Sequence, residues 1–111
     1  RLPALVPLGI AYEILATARR VTATEAAQFG FVNRISEPGR AMEVGIEIAR
    51  LIAANSSEVV AGIKKGLGIF MHDGADAARR FEASEGRRLQ SGADADEGMQ
   101  AFLAKRSPRF Q

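Results

Sequence analysis

Over residues 40–71, large apolar residues recur every three or four positions, which is the spacing of one face of an α-helix. Charged residues of the first half, Glu43, Glu47 and Arg50, have the same spacing on a different face. This pattern predicts two successive amphipathic helices, with Ser56 as the cap of the second. The apolar positions are Val44, Ile48, Leu51 and Ile52, followed by Val59, Ile63, Leu67, Phe70 and Met71.

Residues 22–36 combine signals for a helix start, a helix end and an extended segment. Thr22 is a favourable N-cap residue, and Glu25 follows it at the spacing of a capping box. Gly30 predicts the end of this helix, because glycine tolerates the left-handed backbone that often follows a helix. The alternation in "FVNRIS" then predicts one short extended segment.

Three further helices are predicted from local signals. The segment "LGIAYEILAT", residues 8–17, predicts a helix with Pro7 in its first turn. Residues 75–90 predict a polar helix. Asp94 is a candidate N-cap for a last helix, with Glu97 at the spacing of a capping box, and Pro108 would end that helix. The predicted fold is therefore mainly α, with five to six helices and one short extended segment.

Composition excludes several classes of site. The 111 residues contain no cysteine, which excludes disulfides, thiol catalysis and cysteine-based zinc sites. The single histidine, His72, cannot form a metal site built on two histidines, so we expect no metal ion. Net charge is only +2 with basic and acidic residues interleaved, and no apolar run approaches the roughly 20 residues of a membrane span. We expect no nucleic-acid partner, no membrane span and a reducing, cytoplasmic location.

Three segments together resemble the C-terminal part of the enoyl-CoA hydratase/isomerase (crotonase) family. They are "RVTATEAAQFGFVNRI", "IARLIAANS" and "DADEGMQAFLAKRSPRF", in the family's order. Arg1-Leu2-Pro3 also fits, as the continuation of a glycine-rich turn that would precede it. The resemblance covers nearly all 111 residues. The sequence departs from the family at Ala18 and Pro7, where glycine is usual, at Ser57, where proline is common, and in a looser "SGAD".

The resemblance implies that the chemistry lies outside this chain. Family members bind acyl-CoA thioesters on an N-terminal core, where two backbone N–H groups polarise the thioester carbonyl and, in the hydratases, two glutamates act as acid and base. By the family's order these features precede Arg1, so we assign no catalytic residue here. The chain then corresponds to one C-terminal helical (trimerisation) region, with the N-terminal spiral core absent. Residues 1–39 would be the joint to that core, and residues 40–111 the helical assembly region.

Two residues of the predicted last helix correspond to coenzyme A contacts of the family, often made to the coenzyme A of a neighbouring subunit. They are Phe102 and Lys105. A lysine charge suits phosphate, a phenyl face suits adenine, and a spacing of three places both on one helix face. Coenzyme A would belong to the thioester substrate, and no separate cofactor is expected. Alternatively, Phe102 is a core or interface residue, and Lys105 belongs to a solvated basic helix end.

Two functions are compatible with these observations. The first is the C-terminal fragment of an enzyme that hydrates or isomerises enoyl-CoA thioesters in fatty-acid metabolism. Its partners would be an acyl-CoA substrate and copies of itself in a trimer or hexamer, and the fragment alone would be inactive. The alternative is a self-associating helical interaction module without catalysis, whose apolar faces pair with other copies of the chain.

Overall fold

The computed structural model describes residues 2–110 and is built from helices, which confirms the predicted fold class. A short 3-10 helix (Leu2–Ala4) precedes six α-helices in the described residues. These are α1 (Leu8–Thr17), α2 (Ala23–Gln28), α3 (Ala41–Ala53), α4 (Ser57–Asp73), α5 (Ala75–Gln90) and α6 (Ala93–Leu103). Within residues 2–110, no helix is both long and apolar enough to cross a membrane.

The capped helix α2 forms as the sequence predicts. The Thr22 hydroxyl accepts a hydrogen bond from the Glu25 N–H at 3.2 Å, and the Glu25 carboxylate accepts one from the Thr22 N–H at 3.0 Å. Gly30 has a φ of 78° and donates to the Ala27 carbonyl, while the Phe31 N–H donates to the Ala26 carbonyl. These two bonds are a Schellman motif, which satisfies carbonyls that the helix end would otherwise leave unpaired.

The segment after Gly30 has no regular secondary structure, so the alternation in residues 31–36 does not produce a β-strand. A strand is stabilised by hydrogen bonds to a neighbouring strand, and residues 2–110 contain none. Alternation of apolar and polar residues is therefore insufficient here to fix an extended, paired conformation.

Three predicted helix ends are wrong in detail. Pro7 precedes α1 as its N-cap residue instead of lying in the first turn. Asp94 lies inside the first turn of α6, which begins after Gly92, although its negative charge still suits a helix N-terminus. The last helix ends at Leu103, well before Pro108, because the backbone turns left-handed at Lys105.

The described residues divide into two compact units, one reaching Ile46 and one starting at Glu47, so that α3 spans the division. In the first unit the 3-10 helix packs on α1, and Val6, Ala11 and Ala26 are buried. This division does not test the roles predicted from the sequence. A joint in residues 1–39 and an assembly region in residues 40–111 stay predictions.

In the second unit, α4 and α5 form an antiparallel hairpin. Two buried glycines of α4 face α5: a Cβ atom added to Gly66 would lie 3.4 Å from the Phe81 ring, and one added to Gly62 would lie 3.4 Å from Glu85 Cγ. Lys65 Nζ lies 5.3 Å from the centroid of the Phe81 ring, within cation–π range. Close packing between these helices therefore depends on small residues rather than on interlocking large ones.

The core is thin, as the alanine- and glycine-rich helix faces suggest. The buried apolar residues are Val6, Ala11, Ala26, Ala78 and Ala101, and no large side chain among the described residues is fully buried. Apolar side chains that the core of a self-sufficient domain would bury, such as Leu8 at 73% exposed and Leu51 at 71%, stay uncovered.

Candidate functional site

The two residues that the sequence singles out, Phe102 and Lys105, lie at the C-terminal end of α6. Phe102 is in the last turn and is 79% exposed, so it is not a core residue of this chain. Lys105 lies two residues beyond the helix and is also exposed, so the prediction that it shares a helix face with Phe102 is wrong. The Lys105 N–H donates a hydrogen bond to the Phe102 carbonyl at 3.1 Å, which places both residues in one turn of backbone.

The backbone at Lys105 adopts an unusual conformation for a residue with a side chain. Its φ is 51°, in the left-handed region, which costs about 1–2 kcal/mol for a residue other than glycine. The next residue, Arg106, donates from its N–H to the Ala101 carbonyl at 3.0 Å. Together with the bond from Lys105, this forms a second Schellman motif, built here on a lysine instead of a glycine.

Glu97, in the first half of α6, holds the segment that follows this turn. Its carboxylate accepts hydrogen bonds from both terminal nitrogens of Arg106, at 2.6 and 2.9 Å, and from the Arg109 N–H at 2.7 Å. The bonds from Arg106, followed by the one from Arg109, lower the pKa of Glu97 to about 2. Glu97 therefore remains an anion across the physiological pH range and fixes the chain after α6.

The sequence predictions missed this arrangement. They placed Glu97 in a capping box with Asp94, whereas the structure shows no side-chain cap at Gly92 and directs Glu97 toward the C-terminal segment. A spacing of nine residues between Glu97 and Arg106 matches neither helical nor strand periodicity. A Cβ atom added to Gly98 would lie 3.8 Å from the Phe110 ring, an ordinary contact distance, so Phe110 lies close to α6. We call residues 104–110 the C-terminal strap, because they fold back along α6.

Several other carboxylates form structural ion pairs or caps. Every carboxyl group whose pKa departs clearly from its ordinary value in the described chain is shifted downward, whereas a general acid at neutral pH needs a raised pKa. No group of three or more His, Asp or Glu residues within 2–110 could hold a metal ion. The largest contributions to these lowered pKa values are hydrogen bonds, from the Thr22 N–H to Glu25, from Arg40 to Glu43 and from Arg88 to Glu85.

Apolar surface is the dominant feature away from α6. α3 has no buried residue, and its apolar side chains, including Leu51 at 71% exposed, are uncovered. A second apolar surface is an open groove along α4 and α5, which two carboxylates border. Its apolar lining residues are Val59, Ile63, Leu67, Phe70, Phe81 and Leu89, and the bordering carboxylates are Glu82 and Glu85. These surfaces can bind other apolar protein surfaces.

Comparison with known proteins places this arrangement in a family. Residues 1–111 match the enoyl-CoA hydratase/isomerase family over their whole length. The chain belongs to the enoyl-CoA hydratase/isomerase family. A short-chain-enoyl-CoA hydratase of Clostridium acetobutylicum is 34% identical over 106 residues, which are 96% of this chain and 41% of that protein. Enoyl-CoA hydratase EchA19 of Mycobacterium tuberculosis is 31% identical over 111 residues, covering all of this chain and 42% of that protein.

Solved structures of family members share the backbone described above. The crystal structure of a probable enoyl-CoA hydratase/isomerase from Mycobacterium abscessus matches all of this chain and 43% of its own, with a TM-score of 0.95 at 29% identity. The chain therefore spans about two fifths of the length of the hydratase/isomerase relatives that it matches. The helices α1 to α6 and their connections are a shared part of this family's architecture.

Proposed function

We propose that this chain is the C-terminal helical part of an enzyme that hydrates, or isomerises, enoyl-CoA thioesters in fatty-acid metabolism. The observation that carries the proposal is the family match over all 111 residues, which coincides with only about two fifths of the relatives' length. The acid–base groups would then lie in a catalytic core contributed by the rest of the enzyme.

The surface of the chain supports this assignment. Nineteen large apolar side chains among the described residues are exposed. An enzyme in which these faces contact a catalytic core and neighbouring subunits, in a trimer or a pair of trimers, would cover these side chains.

The proposed contact with coenzyme A is the turn at the end of α6. The Phe102 ring is exposed and can stack on adenine, and Lys105 can pair with a phosphate. No ion pair in the described chain engages the Lys105 ammonium. That charge is therefore available to a ligand.

The proposal is tested by expressing the full reading frame that contains these residues and following the absorbance of crotonyl-CoA. We expect loss of the enoyl-thioester absorbance through hydration, or movement of the double bond with a 3-enoyl-CoA substrate. The proposal is refuted if the purified product acts on neither thioester.

A second candidate function is self-association without catalysis, and the uncovered apolar side of α3 favours it. Sedimentation velocity of the purified 111-residue chain tests this candidate. Concentration-dependent oligomers that dissociate when Leu51 is replaced by Lys would support it. A folded monomer at all concentrations would rule it out.

A further inference from the structure

The strained turn at Lys105 needs more support than its two backbone hydrogen bonds. Left-handed backbone at a residue with a side chain persists where the surrounding structure over-determines it. The residue that follows, Arg106, is held by the Glu97 carboxylate through two hydrogen bonds, and the Arg109 N–H adds a third. All three bonds act on the strap immediately after Lys105.

The Lys105 and Arg109 side chains form no ion pair within the described residues, so this turn carries uncompensated positive charge. The Glu97 carboxylate is only 22% exposed and is neutralised by Arg106. It therefore presents little net negative charge to an approaching phosphate. Lys105 precedes the neutralised pair and has no ion-pair partner within residues 2–110. The carboxylate thus fixes the backbone that carries the free ammonium without competing with a ligand for it.

We propose that Glu97 is a positioning residue for coenzyme A, which acts through Arg106 to hold Lys105 in the left-handed conformation that directs its ammonium toward a phosphate. This inference rests on the function proposed above. It extends that function from the contact residues to the anion that orients them. The ligand class is a phosphorylated nucleotide group, and the acyl portion of the substrate is not involved.

The test compares kinetic constants in the intact enzyme proposed above for two substrates, crotonyl-CoA and crotonyl-pantetheine, which lacks the nucleotide phosphates. For Glu97→Gln we expect the KM for crotonyl-CoA to rise about tenfold, which corresponds to the loss of one phosphate contact. The kcat for both substrates is expected to stay unchanged, and so is the KM for crotonyl-pantetheine. Asp76→Asn, at an exposed site of α5 outside the α4–α5 groove, is the matched control and is expected to leave all constants unchanged.

Two further variants separate this inference from the proposed function. Lys105→Ala is expected to raise the KM for crotonyl-CoA as much as Glu97→Gln does, and the double variant no further, because both act on one contact. If Lys105→Ala has no effect, the proposed coenzyme A contact itself is wrong. If Lys105→Ala has the effect and Glu97→Gln does not, Glu97 is not a positioning residue.

Damage to the fold is distinguished by the same measurements. Arg106→Lys keeps the charge but removes the two-pronged hydrogen bond, and it is expected to reproduce the Glu97→Gln result in a protein with unchanged helical content. If both variants lower kcat, or raise the KM for crotonyl-pantetheine equally, Glu97 only stabilises the helix end and the inference is overturned.

Discussion

Replacement by alanine is expected to change the stability of the fold in opposite directions at two glycines, one inside α4 and one directly after it. Gly68 lies inside α4, and an added Cβ atom would meet no heavy atom within 4 Å. Alanine is favoured over glycine in a helix interior by about 1 kcal/mol, so Gly68→Ala is expected to stabilise the fold by that amount. Gly74, which joins α4 to α5, has φ 84° and ψ 176°. Only glycine adopts this region readily, so Gly74→Ala is expected to cost about 1–3 kcal/mol.

The assay is thermal unfolding followed by far-ultraviolet circular dichroism. A change of 1 kcal/mol shifts the Tm of a domain of this size by about 4–8 °C. Gly68→Ala is therefore expected to raise the Tm by about 4–8 °C, and Gly74→Ala to lower it by at least as much. The double variant is expected to show nearly the sum, because the two sites share no contact.

Each outcome bears on a specific part of the structure. An unchanged Tm for Gly74→Ala would contradict the backbone described at the corner between α4 and α5. A lower Tm for Gly68→Ala would mean that another surface covers this side of α4 in solution. Either result would refute the reasoning from local backbone geometry and free space.

Three further predictions concern individual residues. The pKa of Glu97 is lowered from 4.5 to about 2 in the folded chain, so its stabilisation of the strap is complete above pH 4.5 and is lost as the pH falls toward 2. Hydrogen exchange at the Arg109 amide is expected to report this loss, and Glu97→Gln to remove the pH dependence. Thr22→Ala removes the capping box and is expected to destabilise the protein by about 1 kcal/mol in thermal unfolding; an unchanged Tm would contradict the cap's role. Ala18 has a φ of 50°, so Ala18→Gly is expected to stabilise by about 0.5–1 kcal/mol, and a lower Tm would show that the left-handed conformation is not populated.

Local signals in the sequence were sufficient for most of the helices. The bounds predicted for residues 8–17 and 75–90 agree with α1 and α5, because helical periodicity and flanking breakers are encoded within each segment. The cap at Thr22 and the stop at Gly30 were also predicted correctly, since both involve residues within one or two turns. Ala18, where the resemblance predicts glycine, has the left-handed backbone that glycine would favour.

The features that the sequence did not reveal depend on residues far apart in the chain. α6 ends at Leu103 because Lys105 adopts a left-handed backbone, which no propensity would predict. The carboxylate of Glu97, nine residues before Arg106, holds that arginine. Residues 31–36 alternate like a strand but lack a neighbouring strand in the described chain. The candidate coenzyme A contact came from family resemblance alone, since neither Phe102 nor Lys105 belongs to a pattern that defines a site by spacing.

The most direct test of the central claim uses the purified 111-residue chain by itself, at high concentration, with crotonyl-CoA. If the helices described here serve assembly and coenzyme A contact while the acid–base groups lie in another part of the enzyme, the enoyl-thioester absorbance will not change beyond the uncatalysed rate. Turnover that persists through repurification and follows the protein peak would contradict the account. It would show that residues described here as structural form a catalytic site.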